Sequence, residues 1–221
     1  MPLSFPAERQ SIVDAAQLLI RTGVLSHSNH GNSSVRLPDG QSMVITGVSS
    51  LSNPTPETMA VLDLDGNILD GQLASTSAEI TGMHAVIYRL RPDVGAVIHT
   101  HSPNVTTYAM AHKPLPIHYE GLLRLGISED IPVAPWGPRG SRESIAHIEE
   151  TLEMHPEAQA VLLANHGLLA FGENQAGAAH LIVSMEEAAE LMLWAERIGG
   201  SKPFPPGALE QVRDRLRAFA H

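Results

Sequence analysis

Three tight-turn signals constrain this chain most. Asp39-Gly40 separates GNSSVRL from SMVIT, Asp65-Gly66 separates MAVLDL from NILDG, and Asn165-His166-Gly167 separates an apolar run from LLAFG. Turns this short join only antiparallel neighbours, because a parallel pair needs a crossover of a dozen or more residues. Helical stretches surround them. Residues 7–22 carry an apolar stripe of Ile12, Ala15, Ala16, Leu19 and Ile20, with Gly23 as C-cap. Residues 77–91 read as a helix stopped by Pro92, and a helix follows Ser102-Pro103. IPVAPW reads as a short strand, and another helix opens on Ser141. In the long helix after Asn174, Met185, Met192 and Trp194 suit core or subunit packing, while Glu186, Glu187 and Glu190 read as its solvated face. A last short helix follows SKPFPPG. The pattern predicts one α/β domain over residues 1–221, with a mostly antiparallel or mixed central β-sheet covered by helices.

The net charge of −10 excludes nucleic acid and an anionic membrane as the main partner, because phosphate backbones need a basic footprint. MPLSFPAERQ lacks a charged segment followed by a long apolar stretch, and no run reaches about 18 apolar residues. The reading is therefore a cytoplasmic protein without a membrane span. The chain has no cysteine, so any metal must be held by His, Asp or Glu.

The apolar run Val94–Ile98 ends in His99-Thr100-His101. Strand residues two apart point to the same face, about 6.6 Å apart along the chain, so both imidazoles can reach one ion. His166 lies in the turn between two apolar strands, and its neighbours Asn165 and Gly167 suit positive φ. Three imidazoles at strand ends, with a fourth position open, make a catalytic metal arrangement. Glu79 stands in the first turn of a predicted helix as a further ligand or a general base, behind Ser75 and Thr76, which suit turn and capping roles.

GNSSVR, ITG, the stretch from Ser75 through HTHS, PIHY and ANHGLLAFG together resemble the class II aldolase/adducin family, in order from about residue 8 to about residue 199. The resemblance implies a sheet of about nine strands between helices, and a homotetramer with active sites shared between subunits. It implies a divalent metal on His99, His101 and His166: zinc first, with Mn2+, Co2+, Fe2+ or Ni2+ as alternatives. It makes Glu79 the acid/base, although Glu79 lies five residues before His84 where the family has four. It places a substrate phosphate near Gly31, Asn32, Thr46, Gly47 and Ser77, with Ala78 where a second serine is usual. Tyr119 matches a tyrosine that a neighbouring subunit lends to the reaction.

The implied reaction is carbon–carbon cleavage of a small, phosphorylated hydroxy-ketone through a metal-stabilised enediolate. The same chemistry serves a decarboxylase, epimerase or dehydratase of sugar or sugar-acid phosphates. The chain reads EGLLRLG after PIHY, without the Asp-Tyr-Phe of the epimerase. A non-catalytic, adducin-like scaffold is the alternative outside the enzymes, and it would have no need of three histidines.

Overall fold

The computed structural model describes residues 3–219, apart from the side chains of Thr76 and Ala78. Eight strands form one sheet: β1 (Gly31–Arg36), β2 (Ser42–Thr46), β3 (Met59–Asp63), β4 (Ile68–Asp70), β5 (Ala96–Thr100), β6 (Val133–Ala134), β7 (Ala160–Leu163) and β8 (Gly167–Gly172). Their order is β4-β3-β2-β1-β5-β8-β7-β6. Every pair is antiparallel except β6 with β7. Each tight-turn signal became the predicted strand connection, and the sheet is mixed only at its β6 edge.

Helices cover both faces. They are α1 (Pro6–Thr22), α2 (Ser75–Ala78), α3 (Thr81–Leu90), α4 (Pro103–Met110), α5 (Glu120–Arg124), α6 (Arg142–Met154), α7 (Gln175–Ala195) and α8 (Ala208–Phe219). Alternate strand residues feed opposite cores. Ile98, Leu162 and Leu168 pack with α1, α4 and α7. Val97, Val161 and Leu169 pack with α3 and α6. A sheet buried on both faces explains why β5 and β7 read as continuous apolar runs.

Several expectations need correction. The helix predicted over 77–91 is two helices, because Ile80 and Met83 accept the tighter i→i+3 pattern, with N–H bonds to Ser77 and Ile80 carbonyls at 3.1 and 3.2 Å. Ser75 makes no capping bond, since Ala74 holds the N-cap position of α2, and the Thr76 side chain lies outside the described residues. The sheet has eight strands among the described residues, not nine. Glu186 is not solvated. Its carboxylate accepts the Asn104 and Val105 backbone N–H groups at 2.8 and 3.0 Å, so it caps the start of α4 from inside the core. α5 was not foreseen.

Candidate metal centre and active site

β5 is the spine of the site. It lies between β1 and β8, so the end of the strand is flanked on both sides. Its register sets Asn32 opposite His99 on one side and Leu169 opposite His99 on the other. Opposed residues of an antiparallel pair share a face. His99 and Asn32 therefore project together, toward α3. His101 follows just beyond the strand, and His166 arrives from the β7–β8 turn.

The three imidazoles converge. Their ring centroids are 4.7 to 5.0 Å apart. One nitrogen from each ring lies within 4.8 Å of the others, and the Nε2 atoms of His99 and His101 are 3.1 Å apart. His99 Nδ1 donates to the Leu168 carbonyl at 2.8 Å, which leaves Nε2 as a bare lone pair aimed at its neighbours. That second bond is the orientation a metal-binding imidazole needs. Burial, reinforced by the neighbouring histidines, pushes His99 well below the ordinary imidazole range. Burial and the charges of His166, His30 and Arg139 lower His101 to about 4, and burial with Arg139 lowers His166. All three are thus held neutral, the form that ligates. The donor set fits a divalent ion with an open position.

Backbone geometry enforces this convergence. Asn165 takes φ 58°, a conformation asparagine tolerates, and its carboxamide accepts from His112 Nε2 at 2.6 Å. Gly167 was expected to need positive φ and does not. Crowding requires glycine there: a Cβ would sit 2.5 Å from the Thr100 carbonyl and 2.9 Å from the His101 ring.

The histidines open into a cleft of about 240 Å³, lined also by His30, Gly31, Asn32, Ser49 and Arg139. Among the described residues no carboxylate lines it. Arg139 Nη2 donates to Ser49 Oγ at 2.9 Å, and Ser49 Oγ lies 3.4 Å from Ser77 Oγ. Arg139 Nε lies 3.7 Å from the exposed Glu79 carboxylate. Glu79 thus reaches the cleft through Arg139 instead of lining it.

The other expected site residues divide. Gly31 and Asn32 line the cleft, and Ser77 is one hydroxyl behind it. Thr46 and Gly47 do not line it. The Thr46 hydroxyl accepts from the Ser33 N–H at 3.2 Å, and Gly47 is packed backbone to backbone against Thr58 and Ala74. Tyr119 opens α5, where its hydroxyl donates to Glu187 at 3.2 Å, and it does not line its own chain's cleft. Its phenol is pushed up by desolvation and by the Glu187 charge.

Arg139 and Ser49 were missed by sequence reasoning. They sit on loops remote from the histidines in the chain, with no periodicity or spacing to mark them.

Comparison with known proteins gives the chain's relatives. Residues 10–193 match the family described as Class II Aldolase and Adducin N-terminal domain. The chain is 30% identical over 220 residues to the 5-methylthioribulose-1-phosphate/5-deoxyribulose-1-phosphate aldolase of Rhodospirillum rubrum, covering 99% of this chain and 95% of that one. It is 31% identical over 169 residues to the 3-oxo-tetronate 4-phosphate decarboxylase of Haemophilus influenzae, covering 73% and 75%. The solved structure of an L-fuculose 1-phosphate aldolase superposes with a TM-score of 0.83 at 26% identity, covering 97% of this chain and 98% of that one. The chain therefore belongs to the class II aldolase and adducin family, among its enzymes.

Proposed function

We propose that this protein is a metal-dependent lyase that cleaves a carbon–carbon bond in a small, phosphorylated hydroxy-ketone. One observation carries the reading. Three neutral imidazoles converge in a cleft whose wall, among the described residues, holds a guanidinium and no carboxylate. Such a cleft favours a substrate that brings both metal-seeking oxygens and an anion.

In this reading His99, His101 and His166 hold the ion, which we take to be zinc. When bound, a divalent ion supplies Lewis acidity, polarising a carbonyl and stabilising the charge that cleavage leaves. The residues of the chain do the rest. Arg139, with Ser49 and Ser77 behind it, neutralises the substrate phosphate, and Gly31 and Asn32 close the cleft on the β1 side. The proton of the hydroxyl that becomes an aldehyde passes to the Tyr119 oxygen of a neighbouring copy as that phenol hands its own proton to Glu187. Glu79, exposed and held on Arg139, takes a proton from solvent and returns it through water to the carbon that keeps the electron pair.

Shared sites require an oligomer, and we take it to be a homotetramer. Support comes from Tyr119, which does not line its own cleft, and from Trp194 and Ile198, which are 60% and 89% exposed on one surface segment. No helix among the described residues is long and apolar enough to cross a membrane, and we place the enzyme in the cytoplasm.

A second reading, decarboxylation of a keto-acid phosphate, is favoured by the decarboxylase relative and needs the same metal and anion sites. A screen of the metal-replete protein separates the two. Release of an aldehyde from L-fuculose 1-phosphate or 5-deoxyribulose 1-phosphate supports the lyase. Release of carbon dioxide from 3-oxo-tetronate 4-phosphate, with no ketose phosphate cleaved, overturns it.

A further inference from the structure

His84 enters neither the metal set nor the proton steps, yet it is fully buried beside the cleft. Its Nε2 lies 2.5 Å from Asn32 Oδ1, and its Nδ1 lies 2.7 Å from Ser34 Oγ. Ser34 Oγ lies 2.8 Å from the Tyr88 hydroxyl. Asn32, Ser34 and Tyr88 are buried as well. The arrangement follows from two periodicities. Asn32 and Ser34 are two apart on β1 and face α3, while His84 and Tyr88 are four apart on α3 and face β1. Ser33, between them, turns to the opposite face and donates to Gln175 of α7 at 2.9 Å.

The polarity of this chain of bonds is determined by the groups in it. A carboxamide oxygen only accepts, so His84 Nε2 carries the hydrogen. Burial lowers His84 to about 3, so the ring is neutral and Nδ1 must accept. The single Ser34 hydrogen goes to Nδ1, and the Tyr88 hydrogen goes to Ser34. The Tyr88 oxygen also takes a backbone hydrogen bond from Val97, which suits its role as the donor at the end of the line.

We propose that His84 is a positioning residue. By claiming the Asn32 carboxamide oxygen, it turns the amide NH2 toward the cleft as a fixed donor for a substrate oxygen. Ser34 and Tyr88 select the tautomer that makes this possible. Asn32 lines the cleft beside His99, and its side chain makes no other hydrogen bond to the described residues. An unrestrained asparagine could present either end. A carbonyl end would repel phosphate and enolate oxygens, whereas a restrained NH2 discriminates in favour of them. The proposal rests on the phosphorylated-substrate reading for its ligand, but its hydrogen-bond polarity stands apart from that reading.

Two measurements test it. Long-range proton–nitrogen correlation spectra of the intact, metal-loaded protein read which His84 nitrogen bears hydrogen, with His84→Gln assigning the signal. Hydrogen on Nε2 is expected, and hydrogen on Nδ1 overturns the proposal whatever reaction is catalysed. Steady-state kinetics with the ketose 1-phosphate turned over in the screen then read the consequence. His84→Leu should raise KM about tenfold or more at unchanged metal content, the factor of one hydrogen bond to a charged group. His84→Gln, which keeps a donor near Nε2, should recover most of that loss. Adding His84→Leu to Asn32→Ala should raise KM little further. Additive effects, or no rescue by glutamine, would show that His84 does not act through Asn32. If no ketose phosphate is cleaved at all, the lyase reading fails while the tautomer still decides the relay.

Discussion

Lowering the pH loads the unfolded chain with protons that the folded chain refuses. His84 titrates near 3 in the fold because burial opposes its charge, against 6.5 in the open chain. Below 6.5 the unfolded state binds a proton that the native state does not. The stability contributed by the neutral ring is complete above 6.5 and is lost as pH falls from 6.5 toward 3. The loss runs at about 1.4 kcal/mol per pH unit per histidine. Urea midpoints at pH 7 and pH 5 should fall less in His84→Gln than in the parent protein. Equal falls in both would contradict this burial. Glu79 poses a different residue-scale question, since its carboxylate is exposed and bound to Arg139. Glu79→Gln should lower kcat by about 10²–10⁴-fold, the usual contribution of an acid–base group, and retain the metal. Turnover near the parent rate in a metal-replete Glu79→Gln protein would remove Glu79 from the proton steps.

At the scale of elements, the metal centre depends on how closely two turns approach each other. The β7–β8 turn lies against the end of β5, and Gly167 is the point of contact. Gly167→Ala must displace either the Thr100 backbone or the His101 ring. We expect a loss of about 1–3 kcal/mol in stability, as for other overpacked sites, together with weaker metal binding. Thermal unfolding with and without added zinc measures both, and a variant with the parent's Tm and metal affinity would contradict the packing. The same scale shows what was legible in the sequence. The hairpins and the HTH strand end could be read because turn residues, and an apolar run closed by two histidines, are local signals. α5 could not, because EGLLR is too short to carry a helical period. Glu186 was misread because an amphipathic pattern reports its own helix and not the N-terminus of α4 that meets it. Arg139, Ser49 and the His84 relay depend on which loop or helix lands on which strand, and no local pattern encodes that. Gly167 was noticed for the wrong reason, since crowding from another strand is invisible within its own turn.

At the scale of the whole molecule, a sheet buried on both faces leaves chemistry only at strand ends and loop junctions, and the three histidines occupy one such end. Tyr119 lies elsewhere in the same chain, which makes assembly a functional question. Light scattering should report a tetramer. Mixed tetramers of His101→Ala and Tyr119→Phe should regain activity that neither variant has alone, because some interfaces then pair an intact cleft with an intact tyrosine. Persistent inactivity of verified mixed assemblies, or a fully active monomer, would show that each chain completes its own site. All of this stands on the metal. Elemental analysis of protein purified without added metal, parent beside His101→Ala, decides it. We expect one divalent ion per chain in the parent, and its loss from a His101→Ala protein that keeps the parent's circular dichroism. A metal-free parent active in the lyase assay, or a His101→Ala protein with full metal and full activity, would contradict the assignment of His99, His101 and His166 as its ligands.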